Sequence, residues 1–144
     1  NLEAEDIALS ADKNTLYFVD DSSNAGVYAL DLTTKTFTII TNSILPADGN
    51  DLRLDDPESF ELSSDGLHAY IGDDNNDSFI KVNLATGARE EFMADSIRTT
   101  NSWADRINGI SVDTHSQVLY TTDTSTDAIL MMDEVTNEWV MIAE

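Results

Sequence analysis

Short runs of apolar and β-branched residues, separated by polar turn residues, recur along the whole chain. In the first third of the chain they lie at about 7–10, 15–20, 26–31 and 36–41. These runs are rich in Tyr, Phe, Ile, Val and Thr, and Ser-Asp, Asp-Gly and Thr-Gly steps break the chain between runs, which favours strands over helices. No stretch has the spacing of an amphipathic helix. The pattern therefore predicts four short strands in this part of the chain.

The same quartet of runs returns twice. A Tyr-x-x-Asp motif closes the second run of each quartet, as LYFVD (16–20), AYIGD (69–73) and LYTTD (119–123). The period is thus about 50 residues, which is typical of repeat architectures. The further predicted strands lie at 59–63, 67–72, 78–83 and 88–93 in the second unit and at 109–113, 117–122, 128–132 and 138–142 in the third.

Four antiparallel strands repeated at this period are typical of β-propeller blades. Apolar residues on both faces of the pleat, as in the run 16–19, suit a sheet that is sandwiched between two neighbours. A plain twelve-stranded sandwich is the alternative. We therefore predict an all-β chain, a single unit over 1–144, with three four-stranded antiparallel blades at about 5–41, 58–93 and 108–143. That is half of a six-bladed propeller.

Two polar signatures of the repeat have a structural interpretation. We expect the motif aspartate to lie at the end of its strand and to bond loop amides, with the motif tyrosine between sheets. Asp31, Asn83 and Asp133 follow the third run of each unit and open short stretches that end in Thr. Such residues predict Asx-type turns, in which the side chain bonds nearby backbone amides.

The composition excludes several classes of function. Seven Lys and Arg stand against 28 Asp and Glu, so the formal net charge is −21. This charge would repel nucleic acid and anionic membranes, and we expect neither as a partner. It favours divalent cations, a saline habitat or simply solubility. The absence of cysteine excludes disulfides and thiolate metal sites.

The motifs YFVD, YIGD and YTTD resemble the repeats of YWTD and NHL-type propellers. The whole unit more closely resembles the gluconolactonase/regucalcin group of six-bladed, calcium-dependent propellers, in which a Glu precedes one inner strand and an Asn-Gly opens another. Glu5, Glu58 and Asn108 stand at the same offset before their motif aspartates. The resemblance implies that Glu5 and Asn108 are calcium ligands at a central tunnel. The Asp ligand of that group has no counterpart at the matching offset.

The residues alone indicate a similar site. The first strand of each blade lines the axis of a propeller, so the side chains just before it converge on one mouth of the channel. Glu5, Glu58 and Asn108 occupy that place in the three units, and all offer oxygen atoms, the ligands that calcium prefers. We predict that they hold a calcium ion. The alternative is that they are polar channel residues bonded to solvent or to strand-end amides.

A substrate surface is predicted beside this site. The loops after the second strands and the connectors 42–57 and 94–107 emerge at the same mouth, where they gather much of the acidity. Trp103, with Arg98 and Arg106, would contact a substrate there, since exposed aromatic and Arg side chains are typical of recognition surfaces. Trp103 would otherwise fill the gap between two blades.

Three blades do not close a ring, because propellers close with about 4 to 8 blades. Either two copies pair around a two-fold axis to complete six blades, or further blades lie elsewhere in a longer chain. The start NLEAED is neither a signal peptide nor an initiating Met, so we expect a processed product or a piece of something larger. Of the two assemblies we favour the homodimer.

These features predict a binding module of extracellular type, secreted or periplasmic, with a central divalent-cation site. The main alternative is a calcium-dependent lactonase or esterase-like hydrolase of the gluconolactonase type, in which a metal-bound water attacks the substrate. A repeat scaffold without metal is the third possibility. We favour the binding module because the Asp ligand has no counterpart.

Overall fold

The computed structural model describes residues 2–43, 52–75, 78–92, 107–124 and 127–143. In these ranges every regular element is a β-strand, and the strands form three sheets. Sheet 1 contains β1 (Ala4–Leu9), β2 (Thr15–Asp20), β3 (Gly26–Asp31) and β4 (Phe37–Asn42). Sheet 2 contains β5 (Pro57–Leu62), β6 (His68–Asp73), β7 (Ser78–Asn83) and β8 (Arg89–Glu91). Sheet 3 contains β9 (Ile107–Asp113), β10 (Val118–Asp123), β11 (Ala128–Asp133) and β12 (Trp139–Ala143).

The all-β prediction, with three four-stranded antiparallel sheets, is confirmed. Neighbouring strands pair in chain order within each sheet, and every pair is antiparallel. Each predicted run corresponds to one strand. Across the ranges that the structure covers, no helix is long and apolar enough to cross a membrane.

The turn between the third and fourth strands has the same construction in all three sheets. Asp31 Oδ1 accepts hydrogen bonds from the backbone amides of Thr33 and Thr34, at 2.8 and 2.7 Å. Asn83 and Asp133 accept the equivalent pairs of bonds, at 2.8 to 3.0 Å. The predicted Asx-type turns are therefore confirmed, and they fix where each hairpin reverses.

The motif aspartates tie the segment before the first strand to the end of the second. Asp20 is fully buried, and its Oδ2 accepts the amide of Glu3 at 2.8 Å. Asp73 is 1% exposed and accepts the amides of Asp55 and Asp56, at 2.8 and 3.3 Å. The prediction that these aspartates satisfy loop amides is confirmed for both sheets, and it explains why Asp recurs at the strand end.

The sheets stand side by side with their first strands innermost. β1 contacts β5, and β5 contacts β9, so sheet 2 is packed between sheets 1 and 3. The core between sheets 1 and 2 is aliphatic apart from one buried ring, and it includes Val19, Val27, Phe60, Ile71, Ile80 and Val82. The core between sheets 2 and 3 is partly aromatic, and it includes Tyr70, Phe79, Ile107, Leu119, Leu130 and Met132, with Phe92 and Trp139 at its edge. This radial arrangement is the one that the repeat predicted.

Polar contacts also join the sheets. The guanidinium of Arg89, in sheet 2, donates to Thr41 Oγ1 and to the carbonyls of Asn42 and Leu52, at 2.7 to 2.9 Å. On the other side of sheet 2, the Tyr70 hydroxyl donates to Glu134 Oε1 at 2.9 Å. Sheet 2 is therefore fastened to both neighbours by hydrogen bonds as well as by apolar packing.

Among the described residues, no further sheet packs on the outer faces of sheets 1 and 3. Ile7 of sheet 1 is 59% exposed, and Ile129 of sheet 3 is 40% exposed. The prediction that each motif tyrosine lies between sheets is correct for the buried Tyr70 and wrong for Tyr120, which is 38% exposed. The physical reason is that Tyr120 points to the uncovered side of the last sheet.

Candidate functional site

One register irregularity recurs at the innermost strand of every sheet. In sheet 1, Ala4 pairs with Asp20 and Asp6 pairs with Val19, so Glu5 is left without a partner in the ladder. The same break leaves Glu58 unpaired between β5 and β6, and Asn108 unpaired between β9 and β10. Each of the three residues is thus the extra residue of a β-bulge, a device that re-aims a side chain.

The prediction that these residues precede the first strands is wrong. Glu5, Glu58 and Asn108 each lie at the second position inside the strand. The strands start earlier than the apolar pattern indicates, because pairing resumes beyond the bulge and continues to the motif aspartate. A bulge leaves no trace in an apolar pattern, since the extra residue is polar and exposed.

The structure brings two of the three side chains into one electrostatic environment. All three are exposed at the same end of the sheets. Partial burial raises the pKa of Glu58, and the carboxylates of Asp56, Glu5 and Asp74 raise it further. Asn108 has a separate partner, since its Oδ1 accepts a hydrogen bond from Thr124 Oγ1 at 2.8 Å.

Asp21 is the most perturbed carboxyl group of this region. Its pKa is raised to about 6, first by partial burial and then by the negative charges of Asp56, Glu5, Glu3 and Glu58. Crowded carboxylates disfavour each other's ionised form, which is the reason for the direction of both shifts. We call the group formed by Glu3, Glu5, Asp21, Asp56, Glu58 and Asp74 the acidic mouth.

Sequence reasoning did not single out Asp21 or Asp56. A signal was present, because doubled aspartates stand at 20–21, 55–56 and 73–74. In the first and third pairs the leading residue is the buried motif aspartate. The following residue, Asp21 or Asp74, interacts electrostatically with the carboxylates of the mouth. Sheet 3 has Thr124 at the corresponding place, and the acidic mouth therefore lies over sheets 1 and 2.

The oxygen ligands of the mouth suit a hard cation, although the carboxylates are not arranged in a coordination geometry for one. In the part of the chain that the structure describes, no group of three or more His, Cys, Asp or Glu side chains is placed to hold a metal ion. Glu5 and Glu58 offer carboxylate oxygens and Asn108 an amide oxygen, all of which are typical calcium ligands. Water would have to complete any such shell.

Arg98, Trp103 and Arg106, predicted to contact a substrate, lie outside the described residues. His68 begins β6, at the end of sheet 2 opposite the mouth, where it lies 3.9 Å from Asp65. The described part of the mouth therefore consists of acidic and amide side chains with nearby hydroxyls.

No family model and no curated protein sequence matches the chain. Several solved structures, however, match the chain. The chain superimposes on the hydrazine synthase of Kuenenia stuttgartiensis with a TM-score of 0.72 and 21% identity, covering 98% of this chain and 36% of that one. On the nidogen/laminin complex it superimposes with a TM-score of 0.70 and 14% identity, covering 99% of this chain and 48% of that one. On the WD40 repeats of RRP9 the TM-score is 0.70 and the identity 13%, covering 97% of this chain and 38% of that one.

These structures are β-propeller proteins. The three sheets are propeller blades. The predicted β-propeller fold is thereby confirmed. The resemblance of the repeats to the YWTD and NHL types stays a prediction. The narrower resemblance to the gluconolactonase group stays a prediction. The chain spans between about a third and a half of the length of the propeller chains reported above.

Proposed function

We propose that these blades form a binding module whose recognition surface is the acidic mouth, and that the mouth holds a divalent cation. One observation carries the proposal: the same bulge, at the same place in three sheets, presents an oxygen-bearing side chain at one end of the molecule. Glu5, Glu58 and Asn108 are the proposed ligands, and calcium is the proposed ion.

Electrostatics supports a cation at the mouth. The pKa of Asp21 is raised to about 6, and neighbouring carboxylates contribute to that shift. A bound divalent cation would reverse the effect, because it stabilises the ionised form of every carboxylate around it. The buried Asp20 and Asp73 hold the backbone beside the mouth through amide hydrogen bonds, so the ligands would sit on a rigid base.

A site of this kind would bind calcium weakly. Only two carboxylates and one amide come from the proposed protein ligands, and few charged ligands correspond to dissociation constants of about 10⁻⁴–10⁻³ M, the range of extracellular modules. We therefore propose a secreted or periplasmic setting, where calcium is abundant enough to occupy the mouth. A partner that presents its own acidic or hydroxyl oxygens would complete the coordination shell.

Calcium titration followed by calorimetry and by thermal unfolding tests the proposal. We expect calcium to raise the melting temperature by a few degrees at saturation, and Glu58→Gln to weaken binding by about 10-fold or more. Glu138→Gln is the matched control, since Glu138 is exposed in the turn at the opposite end of sheet 3. A melting temperature that ignores both calcium and chelator would contradict the proposal.

One observation favours the hydrolase as a second candidate. Asp21 is a carboxyl group beside the proposed ion, and with the cation bound its pKa would fall below the value of about 6 that it has without one, so the group would be ionised and able to accept a proton near neutral pH. In that case Asp21 would take a proton from water as a lactone or small ester is attacked. Calcium-dependent turnover of simple lactones or aryl esters, lost in Asp21→Asn, would favour this function, and calcium binding without turnover would favour the binding module.

A further inference from the structure

A cavity of 270 Å³ lies at the end of the sheets opposite the acidic mouth, where the first strands of all three sheets end. Its lining comes from each sheet in turn: Leu9 and Ala11, the segment 61–66, and Val112 and Thr114. The segment from sheet 2 supplies most of the lining, and sheet 2 has a neighbouring sheet on either side. The greater part of this cavity is therefore built by described residues of the interior sheet.

The lining of this cavity combines aliphatic side chains with oxygen atoms. Leu62 packs on the core between sheets 1 and 2, and Val112 packs on the core between sheets 2 and 3. Ser64 and Thr114 line the same space and carry hydroxyl groups. Apolar walls with a few polar groups are the usual form of a small-molecule site, and a volume just below the typical range of about 300–1,000 Å³ suits a ligand smaller than a drug.

Glu61 is a residue of this lining that the repeat does not require. It pairs with the motif tyrosine of sheet 2, and the residues that pair with the equivalent tyrosines are Ala8 in sheet 1 and Ser111 in sheet 3. Neither of those residues carries a charge, so the strand forms equally well without a carboxylate at this position. Glu61 is half-buried, and burying a carboxylate that has no cationic partner costs stability.

The charges around Glu61 are negative. No Lys, Arg or His is among the described residues that line this cavity. Glu61 Oε1 accepts the amide of Leu62 at 2.9 Å, and partial burial raises the pKa of Glu61 with a further contribution from the charge of Asp6. Asp65, the other carboxylate of the lining, lies 3.9 Å from the imidazole of His68. Glu61 therefore offers a carboxylate for which the surrounding side chains supply no cation.

We propose that this cavity binds a small primary alkylammonium compound. The ammonium group donates to the Glu61 carboxylate and to the hydroxyls of Ser64 and Thr114, and the alkyl chain lies on Leu62 and Val112. The net charge of −21 concentrates cations around the chain. A bare metal ion fits less well, because it prefers six to eight oxygen ligands and would leave the aliphatic walls unused. The inference is independent of the ion at the mouth, which lies at the other end of the sheets.

An NMR titration of the 144-residue chain with butylammonium chloride, followed by amide shifts in calcium-free buffer at constant ionic strength, tests the proposal. We expect saturable shifts at lining residues such as Gly66 and Thr114, with a dissociation constant of about 1 mM, which five non-hydrogen atoms can supply. Butan-1-ol and butyrate have a similar alkyl chain without the positive charge, and they should bind at least about 10-fold more weakly. Shifts centred on Glu5 and Glu58 of the acidic mouth, or equal binding of all three probes, would overturn the proposal.

Glu61→Gln removes the charge but keeps the size of the side chain and an acceptor for the Leu62 amide. We expect butylammonium to bind about 10-fold more weakly or worse to this variant, with a melting temperature unchanged or slightly raised because a half-buried charge is gone. Glu138→Gln removes one charge from an exposed position at the same end of the molecule and should leave the affinity unchanged. Equal losses in both variants, or an unchanged affinity in Glu61→Gln, would overturn the proposal. If Glu61→Gln does not fold, the three probes on the native chain decide the question.

A lysine side chain ends in the same alkylammonium group, so the ligand could be a free amine or a lysine of a partner protein. The volume of 270 Å³ favours the free amine. Titration with the tripeptide Gly-Lys-Gly separates the two sources. Tighter binding of butylammonium would support the free amine, and tighter binding of the tripeptide at the same lining residues would assign the site to a lysine side chain. Binding of neither probe would overturn the alkylammonium site altogether.

Discussion

Sheet 2 and sheet 3 have the same strand quartet and the same register, yet their side chains are in different environments. Phe79 is fully buried between the sheets, and Ile129, at the equivalent place, is 40% exposed. Tyr70 is 2% exposed and Tyr120 38%. The comparison teaches that one repeat pattern gives a core residue or a surface residue according to what stands beside the sheet, as expected for a radially stacked repeat.

The largest expected effect is the difference in free energy of unfolding between alanine substitutions at Phe79 and at Ile129. Phe79→Ala should lower the free energy of unfolding by about 3–5 kcal/mol, because it removes a ring that packs against Tyr70, Phe92 and Trp139. Ile129→Ala, measured by urea unfolding of the monomer, should lower it by under about 1 kcal/mol. Equal costs at the two positions in the monomer would contradict the comparison.

The free energies of unfolding lost by substituting Tyr70 and Tyr120 should differ by a smaller amount. Tyr70→Phe removes the hydroxyl that donates to the Glu134 carboxylate at 2.9 Å, and a bond to a charged acceptor is worth about 1.5–3 kcal/mol. The amide of Ser64 also donates to Glu134, so we expect the cost to lie near the lower limit. Tyr120→Phe should change stability by less than about 0.5 kcal/mol. Urea unfolding of both variants measures the difference.

The smallest expected effect is on the pH dependence of stability, which should differ between Asp21 and Asp31, at the two ends of sheet 1. Asp21, at the mouth, has a folded-state pKa raised to about 6, so the folded protein binds this proton more tightly than the unfolded chain does. Its effect is to raise stability as pH falls from about 7 to 5. Hydrogen bonds from the amides of Thr34 and Thr33 lower the pKa of Asp31 in the turn at the opposite end, so its contribution is lost only as pH falls below the ordinary value of 3.8.

Thermal unfolding between pH 7 and 5 checks the direction in which Asp21 changes stability. We expect a small rise in melting temperature on acidification, and Asp21→Asn should reduce that rise, whereas Asp31→Asn should leave it unchanged over the same interval. A melting temperature that falls steadily from pH 7 to 5 in the native chain, and equally in Asp21→Asn, would show that the mouth is not under electrostatic strain. Saturating calcium should abolish the rise if the ion occupies the mouth.

The turn and strand-end residues were predictable because their contacts are local. Asp31, Asn83 and Asp133 bond amides two and three residues ahead, so their role depends only on nearby sequence. The candidate site was predictable only in part. Glu58 was identified from its offset, whereas Asp21 was not, because its pKa is raised first by partial burial and then by carboxylates that include Asp56 and Glu58, which are distant in sequence.

The sequence by itself determined the local structure of this protein: the strand quartet, its repetition and the hairpin turns, since alternating apolar residues and Asx turns act over a few positions. Only the tertiary structure decided which residues of each quartet are buried, where the bulges lie and which carboxylates crowd together. Those properties depend on a neighbouring sheet, and the strand pattern is the same whether or not a neighbour is present.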